Sequence, residues 1–213
     1  MRMRKLKWAK EYIENSDCVV FDPEVVKGQW SAFLNRDAIH VEIGTGKGDY
    51  WIGMSNLYPK QGWVGIEKNE SVAALALRKA GETQEHVRFI YGDAANFSSW
   101  FGEKEIDVIH LNFSDPWPKR RTSKRRLSNE RFIELYHKVL KDNGEIQMKT
   151  DNRSLFEYSI LQFQDAPFKL KELYLDFRSE QHDEDVISEY EQKFMENGPI
   201  YRAVWEKQKE ENK

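Results

Sequence analysis

Ala38-Ile39-His40-Val41-Glu42-Ile43-Gly44-Thr45-Gly46-Lys47-Gly48 leads directly into Asp49 to Leu57, where Trp51, Ile52, Met54 and Leu57 recur at helical spacing before Pro59. The first six residues read as a strand, the glycines as a tight turn, and the spacing after them as a helix. That order opens a parallel α/β unit, and it repeats downstream. Trp63 to Glu67 reads as a second strand, followed by a helix from Glu70 to Ala80 that Gly81 closes. Val87 to Tyr91 is a third strand, ending at Gly92-Asp93-Ala94, and Ile106 to Phe113 a fourth. A helix over Asn129 to Lys141, with Ser128 as candidate N-cap and Gly144 at its C-terminal side, precedes a fifth strand from Glu145 to Lys149 and a helix near Ser154 to Phe163. Such alternation over more than a hundred residues predicts an open, mostly parallel, doubly wound sheet. The C-terminal third reads as strand (Lys169 to Phe177), helix (Asp185 to Met195) and strand (Ile200 to Trp205). It is expected to add an antiparallel edge strand and so make the sheet mixed.

At 213 residues the chain is long enough for one domain with a real core. Residues 37–207 carry the alternation. Residues 1–36 show no clear periodicity and are expected to form a basic arm, mobile in part without a partner, and residues 208–213 a frayed tail. Charged residues make up 32% and the mean hydropathy is -0.78, which fits a soluble protein with a wet, charged surface. No stretch approaches the roughly 20 apolar residues of a membrane span, and the basic N-terminus lacks the apolar segment of a signal peptide. Cys18 is the single cysteine, so no intrachain disulfide can form, and a reducing cytoplasm is the expected compartment.

The net charge of -3 hides a sharp partition. Arg2, Arg4, Lys5, Lys7 and Lys10 crowd the first ten residues, and Lys119, Arg120, Arg121, Lys124, Arg125 and Arg126 follow Asp115-Pro116-Trp117-Pro118. The remainder is strongly acidic. A local cationic patch, rather than net charge, is what attracts a phosphate backbone.

In doubly wound sheets, ligands bind beyond the carboxyl ends of the strands, near the switch in strand order. Glu42, Gly44, Glu67, Asp93, Asp115 and Asp151 all lie at or just past expected strand ends, so they should converge on one rim. Gly44 and Gly46 let the backbone approach a ligand closely. The turn is not the dinucleotide G-x-G-x-x-G pattern, because its third glycine comes one position early, and it is not a P-loop. Glu67, 21 residues after Gly46, can accept both hydroxyls of a ribose, which suits a nicotinamide dinucleotide and S-adenosylmethionine alike. Glu42 would oppose a diphosphate but suits a cationic amine, and Asp93 can accept from an adenine amine. The series of acids favours S-adenosylmethionine over the nicotinamide oxidoreductase alternative. A non-catalytic RNA-binding module would explain the basic loop but not these acids. The five histidines show no ligand spacing, and no metal is expected.

Glu42-Ile43-Gly44-Thr45-Gly46-Lys47-Gly48, Glu67, Gly92-Asp93-Ala94, the block from Asp115 to Leu127, and Ser188-Glu189-Tyr190-Glu191 with Phe194 together resemble the bacterial tRNA (guanine-N7-)-methyltransferases. The resemblance runs from about Lys5 to Trp205. It implies a Rossmann-like class I S-adenosylmethionine-dependent methyltransferase fold acting on the guanosine at position 46 of the tRNA variable loop. Methylation of another RNA guanine is the nearest alternative. Glu42, Glu67, Asp93 and Asp115 would then contact the cofactor, and Lys119, Asp151, Ser188, Glu189, Tyr190 and Glu191 the substrate. Arg121, Thr122, Ser123, Lys124, Arg125 and Arg126 would contact RNA. The partner would be tRNA, with no membrane, and the protein a monomer or homodimer. Thr122 stands where the family usually has His, and Ser188 where it usually has Thr. Guanine N7 already carries a free lone pair, so Asp115, the candidate catalytic residue, is read as positioning and stabilising charge rather than removing a proton.

Overall fold

The computed structural model describes residues 5–209. Seven strands form one sheet in the order β3-β2-β1-β4-β5-β7-β6. They are β1 (Ile39–Ile43), β2 (Gly62–Glu67), β3 (Val87–Tyr91), β4 (Ile106–Asn112), β5 (Leu140–Thr150), β6 (Phe168–Tyr174) and β7 (Tyr201–Lys207). The first five pair in parallel, as the repeated strand–helix order predicts. β7 runs antiparallel to both β5 and β6, so the antiparallel strand lies one place inside the edge and β6 is outermost.

Nine helices pack against this sheet among the described residues: α1 (Ala9–Glu14), α2 (Pro23–Val26), α3 (Trp30–Leu34), α4 (Asp49–Leu57), α5 (Glu70–Ala80), α6 (Phe97–Trp100), α7 (Glu130–Val139), α8 (Arg153–Gln164) and α9 (Glu189–Phe194). Strand side chains alternate between two faces. Ile39, Val41 and Ile43 of β1, Ile109 and Leu111 of β4, and Ile146 and Met148 of β5 share one core with Phe132 and Tyr136 of α7 and Phe163 of α8. The opposite face buries Trp63 and Phe89 with Tyr50, Trp51 and Met54 of α4 and the small residues Ala73, Ala74 and Ala76 of α5. Those alanines let the glycine turn come close. A Cβ at Gly48 would lie 3.0 Å from the Ala76 Cβ, and Gly48 has φ +83°.

The opposite face is not apolar throughout. His40, Glu42, His110 and Lys149 occupy its middle, and all but the half-buried His40 are buried. The segment 176–195 covers them, and its shape follows from that duty. Asp185 was expected to start a helix, but its carboxylate is drawn down into ion pairs, so α9 begins only at Glu189. Phe177 likewise leaves the β6 strand, is 2% exposed, and stacks on His182 at 3.8 Å between ring centroids.

Residues 5–36, read as part of a basic arm, form α1, α2 and α3 on the body of the fold. Ala9 and Ile13 are buried against α5, Trp30 donates to the Trp100 carbonyl at 2.8 Å, and Val19 bridges to Phe89. Helices of four to six residues contain too few turns to display a period in sequence. The Arg2 and Arg4 cations, and most of the expected tail at 208–213, lie outside the described residues. Two local expectations also change. Ser128 does not cap α7; it is buried and accepts from Ser159 at 2.6 Å, while Asn129 holds the N-cap position. The left-handed residue after α7 is Asn143 (φ +63°), with Gly144 inside β5.

Candidate active site

Strand order reverses between β1 and β4, and the glycine turn opens onto that gap. Two clefts meet there. One, of about 630 Å³, lies over the ends of β1, β2 and β3 and is bordered by Gly44, Gly46, Glu67, Asp93, Asp115 and Trp117. The other, of about 440 Å³, lies between the turn, the end of β4 and α9, and is bordered by Glu42, Asn112, Ser188, Glu189, Tyr190 and Phe194. Gly44, Gly46, Val72 and Phe113 border both. Five of the six strand-end residues expected on one rim therefore line these clefts. Asp151 joins them indirectly, accepting from the Tyr190 hydroxyl at 3.4 Å.

In the larger cleft the turn is tied to the acid at the end of β2. Gly46 (φ +56°) donates its N–H to Glu67 Oε2 at 3.3 Å, and Asn69 donates to Oε1 at 2.8 Å. Each oxygen keeps a second lone pair for a ligand hydroxyl. Burial raises the Glu67 carboxyl above its usual range, against those backbone donors. Asp93 accepts from Ala95 N–H at 3.0 Å through one oxygen, and Lys68 stands 3.5 Å from the other.

Glu42 is the most constrained acid. It is 2% exposed; Asn112 donates to Oε1 at 2.9 Å and the Trp51 backbone N–H acts on the carboxyl, while Oε2 is buried without a hydrogen bond of full geometry. Burial drives its pKa from 4.5 up to about 7, against the Asn112 hydrogen bond. A buried, incompletely satisfied carboxyl is costly, and it marks a place where a cationic ligand group is favoured. This fits an amine-bearing ligand and disfavours a diphosphate.

Asp115 is exposed at the mouth of the larger cleft, in a loop with unusual backbone. Phe113 (φ +49°) and Trp117 (φ +39°) both occupy the left-handed region, which bulky residues rarely adopt and which costs about 1–3 kcal/mol each. The two strained residues bracket the acid. Phe113 also packs against Tyr190, with ring centroids 5.0 Å apart, and Tyr190 against Phe194 at 4.4 Å.

The expected substrate residues divide. Tyr190 and Glu189 border the smaller cleft, with Glu189 accepting from Lys47 at 2.7 Å. Ser188 spends its hydroxyl capping α9, accepting from Glu191 N–H at 3.1 Å. Glu191 departs from expectation. Its side chain is wholly buried, one oxygen accepting from Lys149 at 3.0 Å and the other from Arg178 at 2.6 Å, so it anchors α9 and does not face the cleft. Lys119 is exposed but borders neither cleft.

The expected RNA residues divide as well. Arg120–Arg125 form a short 3-10 helix. Arg121, Lys124 and Arg125 are exposed, and Lys124 and Arg125 overhang the larger cleft. Thr122 and Ser123 turn their hydroxyls onto their own loop, donating to the Lys119 and Arg120 carbonyls. Arg126 is half-buried and also bonds inward, to Pro116 and Trp117. Asn112, Phe113 and Arg131 border the clefts without having been singled out in the sequence. The polar Asn112 at the close of an apolar strand was the one available signal.

A family model described as "Putative methyltransferase" matches residues 36–203. The tRNA (guanine-N(7)-)-methyltransferase of Oceanobacillus iheyensis is 44% identical over 213 residues, covering 97% of this chain and 100% of that protein. The protein of the same name from Streptococcus mutans is 42% identical over 207 residues, covering 96% and 98%. The chain belongs to the tRNA (guanine-N7-)-methyltransferase family. Similar solved structures agree on the fold. An antibiotic-related methyltransferase has TM-score 0.61 at 13% identity, covering 82% of this chain and 90% of its own. The 16S rRNA methyltransferase KamB has TM-score 0.61 at 11% identity, covering 85% and 92%. The fold of this chain is thus the class I methyltransferase sheet, with β7 antiparallel between β5 and β6. No helix among the described residues is long and apolar enough to cross a membrane.

Proposed function

We propose that this protein methylates N7 of a guanosine in tRNA, at position 46 of the variable loop, using S-adenosylmethionine. The observation that carries the reading is the junction of the two clefts at Gly44, Gly46 and Phe113, within a chain that matches relatives of that name end to end. One cleft offers acids for an adenosine: Glu67 for the ribose hydroxyls and Asp93 for the adenine amine. Glu42, buried and incompletely satisfied at Oε2, receives the cofactor's amine. The other cleft is bordered by Tyr190, and Asp151 stands behind the Tyr190 hydroxyl at 3.4 Å, the two being acceptors for the N1–H and exocyclic amine of guanine. Lys119, Arg121, Lys124 and Arg125 face solvent beside the clefts, where they meet phosphates and raise local substrate concentration.

S-adenosylmethionine supplies an electrophilic methyl on sulfur. The guanine nitrogen needs no base, so the protein's task is alignment and charge. Asp115 opposes the positive charge that accumulates on the base. Incubating the protein with unmodified tRNA and labelled methyl donor, then mapping the product by cleavage at N7-methylguanosine, is expected to give one site, at position 46. Label at a different guanine would redirect the reading to another RNA position, and label on no guanine would overturn it.

Glu42 gives a second expectation with a defined sign. Its carboxyl holds its proton up to about pH 7 in the free protein, against 4.5 when exposed. As pH rises between those values the unfolded chain has already released the proton while the folded one has not, so this group lowers stability by about 3 kcal/mol once pH passes 7. A bound cation favours the ionised form and offsets that loss. The thermal stabilisation produced by S-adenosylmethionine should therefore grow from about pH 5 to about pH 8, and E42Q should bind more weakly with this growth absent. An equal pH dependence in E42Q would remove Glu42 from cofactor binding.

A further inference from the structure

We propose that Arg126 is a positioning residue for Asp115 rather than a phosphate contact, an inference that rests on the methyl-transfer reading above. The loop from Ser114 to Pro118 must hold Asp115 between two bulky residues in left-handed conformation, Phe113 and Trp117. Pro116 and Pro118 have no N–H, so the loop has few donors with which to organise its own carbonyls. Arg126 provides them from outside. Its Nε donates to the Pro116 carbonyl at 2.8 Å and its Nη2 to the Trp117 carbonyl at 3.2 Å. These are the two residues after the acid, and Trp117 is itself one of the strained pair.

The guanidinium is in turn fixed from behind. Its Cζ lies 4.2 Å from the centre of the Tyr158 ring on α8. Asn129 donates to the Tyr158 hydroxyl at 3.0 Å, and that hydroxyl donates to Gln162 at 3.1 Å. The chain of contacts runs from a regular twelve-residue helix, through one planar cation, to the backbone beside Asp115. Arg125 differs from its neighbour: it is exposed and only stacks over Trp117, at 4.9 Å. A phosphate taken up by Arg126 would compete for the donors that hold the loop. The rigid fork is also what a lysine lacks, since an ammonium carries the charge but cannot span two successive carbonyls in one plane.

Charge and geometry can therefore be separated. R126K keeps the cation and removes the fork, whereas R121A removes an exposed cation. R126K is expected to lower kcat on tRNA at least tenfold while KM for tRNA, its salt dependence and S-adenosylmethionine affinity stay at wild-type values. R121A is expected to weaken tRNA binding and to flatten the plot of log affinity against log salt by roughly 0.7–0.9. Y158A, which removes the ring beneath the guanidinium, should lower kcat in the same sense as R126K and serves if R126K folds poorly. A crystal structure of R126K should show the Ser114 to Pro118 backbone displaced. An unmoved loop, an unchanged kcat, or a loss confined to tRNA affinity with a flattened salt slope would overturn the proposal. A wild-type protein without turnover on tRNA would instead overturn the reading on which it rests.

Discussion

D115A is expected to lower kcat on tRNA by about a hundred- to a thousandfold, the usual cost of deleting one preorganised electrostatic group at a transition state. Cofactor affinity should fall only in part, because Glu42, Glu67 and Asp93 remain. Guanine N7 has its lone pair in place, so the barrier is set by alignment and by the positive charge that moves from sulfur to the base. Asp115 is exposed at the cleft mouth. A purely electrostatic task asks for a charge held in the right place rather than for a proton acceptor. What the fold invests in is its direction, through Phe113 and Trp117 in left-handed conformation on either side. D115N, which keeps the shape and loses the charge, should retain more activity than D115A but well below wild type. Single-turnover rates at saturating cofactor would measure both. Full turnover in D115A would remove the residue from the mechanism. A kcat profile in the wild type governed by one ionisation near neutrality, and lost in D115N, would restore a general base.

The fold was legible because its signals are local and repeated. Three glycines after Ile43 announce a turn from strand to helix, and acids at the ends of β1, β2 and β3 mark the rim without any knowledge of contacts. What stayed hidden depends on contacts distant in sequence. Glu191 sits beside Ser188 and Tyr190 in a motif that reads as substrate binding, yet Lys149 and Arg178, far along the chain, take up both its oxygens. Arg126 is the sixth cation in a run of eight residues, and nothing in that run distinguishes it from Arg125. Only Pro116, Trp117 and Tyr158 do so. Helices α1 to α3 were invisible for another reason: each is too short to show a period, and each is held by partners on α5 or α6 rather than by its own pattern.

The buried network under α9 unites these observations. His40 Nδ1 lies 3.1 Å from His110 Nε2, and the Tyr50 hydroxyl lies 3.3 Å from His110 Nδ1 and donates to Asp185 at 3.0 Å. Burial lowers the His40 pKa to about 4 and holds His110 well below its usual range, so both rings are neutral at physiological pH. The direct ion pairs in this region join Lys149 and Arg178 to Asp185 and Glu191, two cations facing two acids, and the Glu42 carboxyl lies within the field of Lys149. A neutral set of that kind can be buried, because each charge finds its counterpart inside. The polar middle of the sheet is the surface on which α9 is seated.

E191A breaks that balance and is expected to be strongly destabilising. It leaves two buried cations facing one acid, a situation that typically costs about 3–5 kcal/mol. For a domain of this length that corresponds to a fall of roughly 10 °C in melting temperature. E191Q keeps the shape but still removes the charge, so it should lie between E191A and wild type. Removing one cation together with the acid, as in K149M/E191L, leaves Arg178 facing Asp185 and should recover much of the loss. The coupling measured by that double-mutant cycle reports the pairing itself. Activity follows the same geometry, since α9 carries Glu189 and Tyr190 along the smaller cleft. E191Q should therefore lose turnover on tRNA while S-adenosylmethionine still binds in the larger cleft. Thermal melts separate this account from direct contact with guanine. A Glu191 that reads the base would lose activity in E191A at unchanged melting temperature. One that anchors α9 cannot, because both of its oxygens are already committed to Lys149 and Arg178.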